Sequence, residues 1–319
     1  MQIALWLVAA VLAFAVAPNT FAENYPSKSI RLIIPFAPGG IDAIGRVIAA
    51  AVAESFGQAV VVDNRPGAGG AIGAEITVRA PPDGYTLIMI SSSYTASAAY
   101  RKLPYDPVND IRPIVLVAAM GLVMVVPPSF PAANIKELIA YAQANPKKLS
   151  YGSAGMGSIN HLGLELFKLE TRTDMVHVPY KGAGPGLVAA VSGEIQLAPF
   201  GMLPALPHVR AGRLRAIAVT TPKRSAVLPD VPSVGETVPG FEVTDWMGIW
   251  APKGTPGDIV TRWNREVARV LEKDEIRARM TADGLEPRAG PPQQFRQVTA
   301  RDVEKWRRVV REAKIELSN

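Results

Sequence analysis

The chain has 319 residues, 48% of them apolar and 19% charged, with 34 Lys and Arg against 28 Asp and Glu for a net charge of +6. That length suits one large or two medium domains, the composition excludes a disordered or collagen-like chain, and the basic excess is too thinly spread for a nucleic-acid footprint. No cysteine is present, which excludes disulfides, thiolate catalysis, Fe–S clusters and Cys-ligated zinc.

Residues 1–22 carry no charged side chain, and an apolar stretch over 3–17 runs into Pro18-Asn19-Thr20-Phe21-Ala22. This is the pattern of a secretory signal peptide cleaved after Ala22, since the stretch falls short of the ~20 residues that span a bilayer. The mature chain is expected to start at Glu23 and to reach a bacterial-type periplasm. Beyond it, short apolar strands alternate with helical periods, which predicts an α/β fold with largely parallel sheets. Residues 30–35 read as a buried strand closed by Ala37-Pro38-Gly39-Gly40, after which Ile44, Val47, Ile48, Ala51, Val52 and Ser55 keep helical spacing. Strands are predicted at 59–62 and 86–90, with a helix at 72–80 between them and Ser91-Ser92-Ser93 after the second.

The extended apolar stretch at 114–126 is long enough to leave one lobe and enter another. A helix at 134–144 follows, then a strand at 149–151 opening into Gly152-Ser153-Ala154-Gly155-Met156-Gly157-Ser158. Ser158 is expected to cap a helix with Ile159, Leu162, Leu166 and Leu169 on one face. A strand at 175–178, a helix at 185–192 and strands at 195–200 and 215–219 complete this unit. Residues 241–250 make the return crossing, and helices at 258–272, 274–283 and 292–314 end the chain. The organisation expected is a signal peptide at 1–22, lobe 1 from 23–122 plus 242–319, and lobe 2 from 123–241.

Two Gly-rich strand–loop–helix junctions stand out, one in each lobe: Pro38-Gly39-Gly40-Ile41-Asp42 and the run from Gly152 to Ser158. Glycines admit close backbone approach, and a helix start offers unpaired N–H groups with a positive partial charge. Two such loops facing across a cleft make a clamp for a carboxylate, and in α/β sheets the crevice lies beyond the carboxyl ends of the strands. Asp42 either complements its helix dipole or has a role in the pocket. Other chemistries are poorly served. No Gly-Lys-Ser/Thr occurs, and Gly67-Ala68-Gly69-Gly70-Ala71-Ile72-Gly73 misses the dinucleotide register at Ile72. Ser153 lacks the spacing of a nucleophile elbow, so a hydrolase using Ser153 or Ser158 with His161 is a weaker alternative. His161 and Glu165 stand at i, i+4 without a third metal ligand nearby. His177 is expected at an outer face or a rim, and His208 between two apolar neighbours is unremarkable.

Several runs together carry a resemblance. These are Pro35-Phe36-Ala37-Pro38-Gly39-Gly40 with Asp42 and Arg46, Asp63-Asn64-Arg65-Pro66-Gly67-Ala68-Gly69-Gly70, and Pro82-Asp83-Gly84-Tyr85-Thr86-Leu87. Leu103-Pro104-Tyr105-Asp106-Pro107, the Tyr151–Ser158 run with His161-Leu162, Val178-Pro179-Tyr180-Lys181-Gly182 and Ala251-Pro252-Lys253-Gly254-Thr255-Pro256 continue it in order. The chain resembles the periplasmic substrate-binding components of tripartite tricarboxylate transporters, the Bug or TctC family, over nearly the whole mature sequence.

The resemblance implies a two-lobed periplasmic-binding-protein-like fold of type II, each lobe a mixed, mostly parallel sheet flanked by helices. It implies a receptor and no enzyme, with no cofactor and no metal. The partners implied are a small organic acid, a di- or tricarboxylate or an aromatic acid, and membrane permease subunits; a sensor kinase is the alternative, and the protein is expected to be a monomer. Ligand contacts are carried over to Ala37, Pro38, Gly39, Gly40, Ile41 and Asp42, to Ser91, Ser92 and Ser93, and to Ser153, Ala154, Gly155, Gly157 and Ser158. Two departures bear on this. Only Ile41 separates Gly40 from Asp42, where the family usually has two residues. Phe200 stands where many relatives carry Asp or a small residue, which argues for an apolar or aromatic acid and against an amino acid. Trp246 on the return crossing is a candidate second flat wall.

Overall fold

The computed structural model describes residues 25–38 and 41–318, so the expected signal peptide and Gly39-Gly40 lie outside the described residues. Strand β1 (Ile30–Ile34) lies between β2 (Val60–Asn64) and β3 (Thr86–Ser91), parallel to both. Its run of Ile, Leu and Ile side chains is buried, as suits a parallel strand covered on both faces. Helix α1 (Ile41–Phe56) lays Ile44, Ile48, Val52 and Phe56 against that sheet, one apolar residue every turn. Helices α2 (Ala71–Val78) and α3 (Ser93–Tyr100) follow β2 and β3.

Strand β4 (Ile111–Val126) then crosses between the lobes; at ~3.3 Å per residue its span is about 50 Å. Its first part pairs antiparallel with β9 (Thr244–Pro252), from Ile111 opposite Pro252 to Gly121 opposite Thr244. The remainder, from Leu122, pairs antiparallel with β7 (Ala198–Gly201) and β8 (Arg215–Val219). At the hand-over Thr220 joins three segments: its hydroxyl donates to the Val243 carbonyl at 2.6 Å and accepts the Leu122 N–H at 2.8 Å.

The second lobe adds α4 (Ile135–Ala144), β5 (Ser150–Ser153), α5 (Ile159–Thr171), β6 (Val176–Pro179), α6 (Ala183–Ser192) and α7 (Met202–Arg210). The chain ends in α8 (Gly257–Glu272), α9 (Asp274–Ala282), β10 (Glu286–Pro287) and α10 (Pro292–Glu312). Helix α10 touches both lobes. Phe295 packs edge-on to Trp246 in the first, while Trp306, Val309 and Val310 join the core built on Leu122, Leu162 and Phe167.

Three features differ from the sequence expectation. Pairing is parallel among β1, β2 and β3 and between β5 and β6, but antiparallel wherever β4 or β9 takes part, because the crossing strands run back through both sheets. The serine run is not a loop: Ser91 ends β3 and Ser93 opens α3. Every residue of α3 from Tyr94 to Tyr100 is buried, so the helix carries no polar–apolar stripe to announce it. Helix α7 holds Pro204 in its first turn, where proline is tolerated, and Pro207 beyond it, a pattern that reads as a turn.

Candidate functional site

Five helices begin at one cavity of about 270 Å³ between the lobes. Its wall takes Ile41 and Ile44 from α1, Ser93 from α3, Ile159 and Asn160 from α5, Ala183 from α6, and Leu203 and Pro204 from α7. All lie in the first turn of their helices, where the dipole is positive, and Ile41, Ser93, Ile159, Asn160, Ala183 and Leu203 carry N–H groups without intrahelical partners. The strands contribute their carboxyl ends, Ser91 of β3 and Gly201 of β7, as expected for α/β sheets. No lysine, arginine or histidine lines the cavity among the described residues. The positive partial charge its lining can offer an anion is therefore that of the helix starts.

The side chains that line it are mostly apolar, Phe36, Met120, Met247 and Leu285 among them. Four are polar: Ser91, Ser93, Asn160 and Asp245. Asn160 is buried, and its Nδ2 donates to the Pro199 carbonyl at 2.6 Å, which leaves Oδ1 as an acceptor. Ser91 Oγ accepts the Ser93 N–H at 3.4 Å. Asp245 Oδ1 accepts the Ser92 hydroxyl at 2.5 Å. Burial pushes the Asp245 carboxyl up to about 6, against the lowering effect of the Ser92 hydrogen bond.

The sequence candidates divide around this cavity. Ile41, Ser91, Ser93 and Phe200 line it. Ser92 is fully buried one layer behind, positioning Asp245. Ala37 and Pro38 are exposed and outside the lining, and Gly39 and Gly40 lie outside the described residues. Asp42 is also outside it: buried, it accepts Arg46 Nε at 3.0 Å and Asn64 Nδ2 at 2.9 Å. Asn64 Nδ2 also donates to the Phe36 carbonyl, so Asp42 fastens the loop after β1 to the end of β2. Phe200 is fully buried, with its ring against Gly186 of α6, where a Cβ would fall 2.4 Å from Cζ. It backs the wall and leaves no flat face open.

The second glycine turn is spent on capping and packing. Ser153, Ala154, Gly155, Gly157 and Ser158 are all outside the lining. The Gly155 carbonyl accepts the Ser153 and Ser158 hydroxyls, and the Ser158 hydroxyl in turn accepts the His161 N–H as the cap of α5. Gly157, at φ +71, lies against the Tyr100 ring, where a Cβ would come within 2.5 Å. Contact with the cavity passes instead to the next two residues, Ile159 and Asn160. Trp246 also faces elsewhere: its indole N–H donates to Asp302 at 2.6 Å on the far side of β9. Asp245, Asn160, Met120 and Met247 are among the lining residues that sequence reasoning missed. Alternation along Thr244-Asp245-Trp246-Met247 could have found two of them, since successive strand residues face opposite ways.

A polar network fills the inside of lobe 2. His177 is stacked between Tyr151, at 4.9 Å between ring centroids, and His161, at 4.0 Å. Its Nε2 lies 2.6 Å from Ser153 Oγ. This is not the outer position expected of it, because the short β5–β6 pair lays its ring on Tyr151, the opposing residue. Ser153 is thus joined to His177 and not to His161, whose Nδ1 accepts the Gly157 N–H. Burial drives His161 down to about 4 and His177 down to about 3, so both rings are neutral at pH 7. Glu165 accepts the Tyr151 hydroxyl at 2.6 Å and Lys168 Nζ at 2.8 Å. The partners of Glu165 are thus a phenol and an ammonium.

A second hollow of about 790 Å³ opens on the opposite side of the crossing strands. Lys223, Glu242, Arg301, Asp302, Lys305 and Arg308 give it a mixed charge. Among the described residues no helix is long and apolar enough to cross a membrane, and no group of three or more His, Cys, Asp or Glu could hold a metal ion.

Residues 44–315 match the family model described as the tripartite tricarboxylate transporter family receptor, TctC. Protein BugT of Bordetella pertussis is 36% identical over 302 residues, covering 93% of each chain. Among solved structures, an R. palustris protein with adipate is 36% identical with a TM-score of 0.83, covering 92% of this chain and 100% of its own. MatC from Rhodopseudomonas palustris with bound malate is 32% identical with a TM-score of 0.79, covering 90% and 100%.

Proposed function

The chain belongs to the tripartite tricarboxylate transporter receptor family, and on that premise we propose that it captures a small organic carboxylate in the interlobe cleft. The observation that carries this reading is the meeting of five helix starts at a cavity with no cationic side chain in its lining. An anion there takes hydrogen bonds from fixed backbone donors, which are stronger where water is excluded. The apolar lining suits a ligand with a hydrocarbon body, a dicarboxylate or an aromatic acid of modest size. Solved relatives carrying adipate and malate support the class.

The receptor acts without chemistry. The lobes close on the ligand by bending where β4 passes from β9 to β7 and β8, near Thr220. The closed form docks on the membrane permease and gives up its cargo. The working compartment is the periplasm, reached through the signal peptide ending at Ala22, and the mature chain works as a monomer.

Isothermal calorimetry and thermal shift on the mature chain, residues 23–319, test this with mono-, di- and aromatic carboxylates. A micromolar Kd, about −8 kcal/mol, is expected for at least one. If no carboxylate stabilises the protein while a neutral sugar or a metal cation does, the reading fails.

A further inference from the structure

Asp245 does not fit a plain carboxylate receptor. It brings an acid into the cavity proposed for an anion, and its partner is a neutral hydroxyl, Ser92. No lysine, arginine or histidine lines the cavity to neutralise it among the described residues. A second carboxylate on the ligand, held near Asp245 at low dielectric, would be repelled.

A second polar side chain in the wall, that of buried Asn160, also offers an acceptor. Asn160 spends one Nδ2 hydrogen on the Pro199 carbonyl, which leaves Oδ1 as an acceptor beside the second N–H. The two acceptors come from opposite lobes, Asp245 on β9 and Asn160 at the start of α5. Donors come from the helix starts and from the Ser91 and Ser93 hydroxyls. The lining thus offers donors to an anion, while Asp245 supplies its acidic acceptor for a cation.

We propose that Asp245 is the specificity-determining residue of the cleft and selects an amino carboxylate, with the ligand carboxylate on the helix starts and its ammonium on Asp245. This rests on the carboxylate-capture reading and narrows it. The counter-charge missing at position 200, where Phe200 stands, is supplied on the returning strand. Ser92 acts as a positioning residue, holding one carboxylate oxygen so that the group is presented in one orientation. Burial pushes the Asp245 carboxyl up to about 6, and a cation beside it would favour the ionised form.

Calorimetry on the mature chain at pH 7.5 with matched pairs tests this: glutamate against glutarate, 4-aminobutyrate against butyrate, phenylalanine against 3-phenylpropionate. At least one amino member is expected to bind ten-fold or more tighter than its des-amino partner. Asp245→Asn, close in size and shape, should lower the affinity of that amino member at least ten-fold and leave its partner unchanged or tighter. Ser92→Ala should weaken the same preference by a smaller factor. If des-amino acids bind as well as or better than their partners, or if the amino preference survives Asp245→Asn, the assignment of Asp245 is overturned while carboxylate capture stands. If neither member of any pair binds and the wider carboxylate panel is also negative, both readings fall.

Discussion

The two hollows on either side of the crossing strands are built on opposite plans. The rear groove, about 790 Å³, is the larger, and several of its charges are engaged: Asp302 takes the Trp246 indole, Lys305 donates to the Glu242 carbonyl, and Arg288 pairs with Glu286. The front cleft, about 270 Å³, is smaller and mostly apolar, and its donors are helix starts with nothing to satisfy them inside the helix. One strand divides them: Asp245 and Met247 face the cleft while Thr244 and Trp246 face the groove. The ligand site proposed above is thus the smaller hollow, chosen for its helix starts and not for its size.

The strongest test of this contrast is in stability. Phe200→Asp removes a fully buried ring packed on Gly186 and leaves a carboxylate in its place; the loss should be about 4 kcal/mol or more by urea unfolding. Arg301→Ala at the exposed edge of the groove should cost less than about 0.5 kcal/mol. A well-folded Phe200→Asp protein of near-normal stability would mean that the ring stands in the cleft as a wall. The two effects must differ for the cleft to be a packed receptor surface.

Binding separates the hollows next. Ala183→Glu places an acid at the start of α6, where it suits the helix but adds negative charge to the cleft. Carboxylate affinity should fall about 100-fold, near 2.7 kcal/mol, by calorimetry. Arg301→Glu makes a larger change of charge in the groove and should leave affinity within about two-fold. Equal effects would break the distinction.

A third test uses the pH dependence of the empty protein. Burial pushes the folded Asp245 carboxyl up to about 6, above its ordinary value of 3.8, so the native state holds its proton more tightly. That contribution is present at low pH and is lost as pH rises through 6. Asp245→Asn should therefore melt a few degrees higher than the parent at pH 8, a difference on the order of 1–2 kcal/mol, and converge with it near pH 4. The charged groups behind Asp245 are Asp302, Lys305 and Arg301 of α10, with Glu242 before β9. His161 and His177 are depressed, so they erode stability below their ordinary values in both proteins and cancel in the comparison. A constant difference across pH would show that Asp245 is open to solvent.

Much of this architecture could be read from residues alone, and the reasons for the misses are physical. Apolar runs announced β1, β3 and β4, and four-residue spacing announced α1, because these elements bury one face or a whole strand in a layered core. Helix α3 escaped because it is buried all round, and α7 because proline masks a helix start. At the site, glycines drew attention to Gly152–Ser158, but Gly155 and Gly157 serve a turn packed on Tyr100. Aromatic bulk likewise drew attention to Trp246, whose strand neighbour Asp245 faces the cleft. Positive φ and large rings mark where a chain is tight, whereas a cleft is lined by whatever the tight places leave facing it.

The smallest effect is the most discriminating between these two glycine-turn readings. Ser158 caps α5 by accepting the His161 N–H and donating to the Gly155 carbonyl, one layer away from the cavity. Ser158→Ala should cost about 1 kcal/mol of stability, the usual value of a lost N-cap, seen as a small fall in the urea midpoint with unchanged slope. Ligand affinity should remain within about two-fold, since the N–H groups of Ile159 and Asn160 keep their place at the helix start. A larger loss of affinity than of stability would put the Ser158 hydroxyl on the ligand, and the serine would then act on the cavity in place of the backbone behind it.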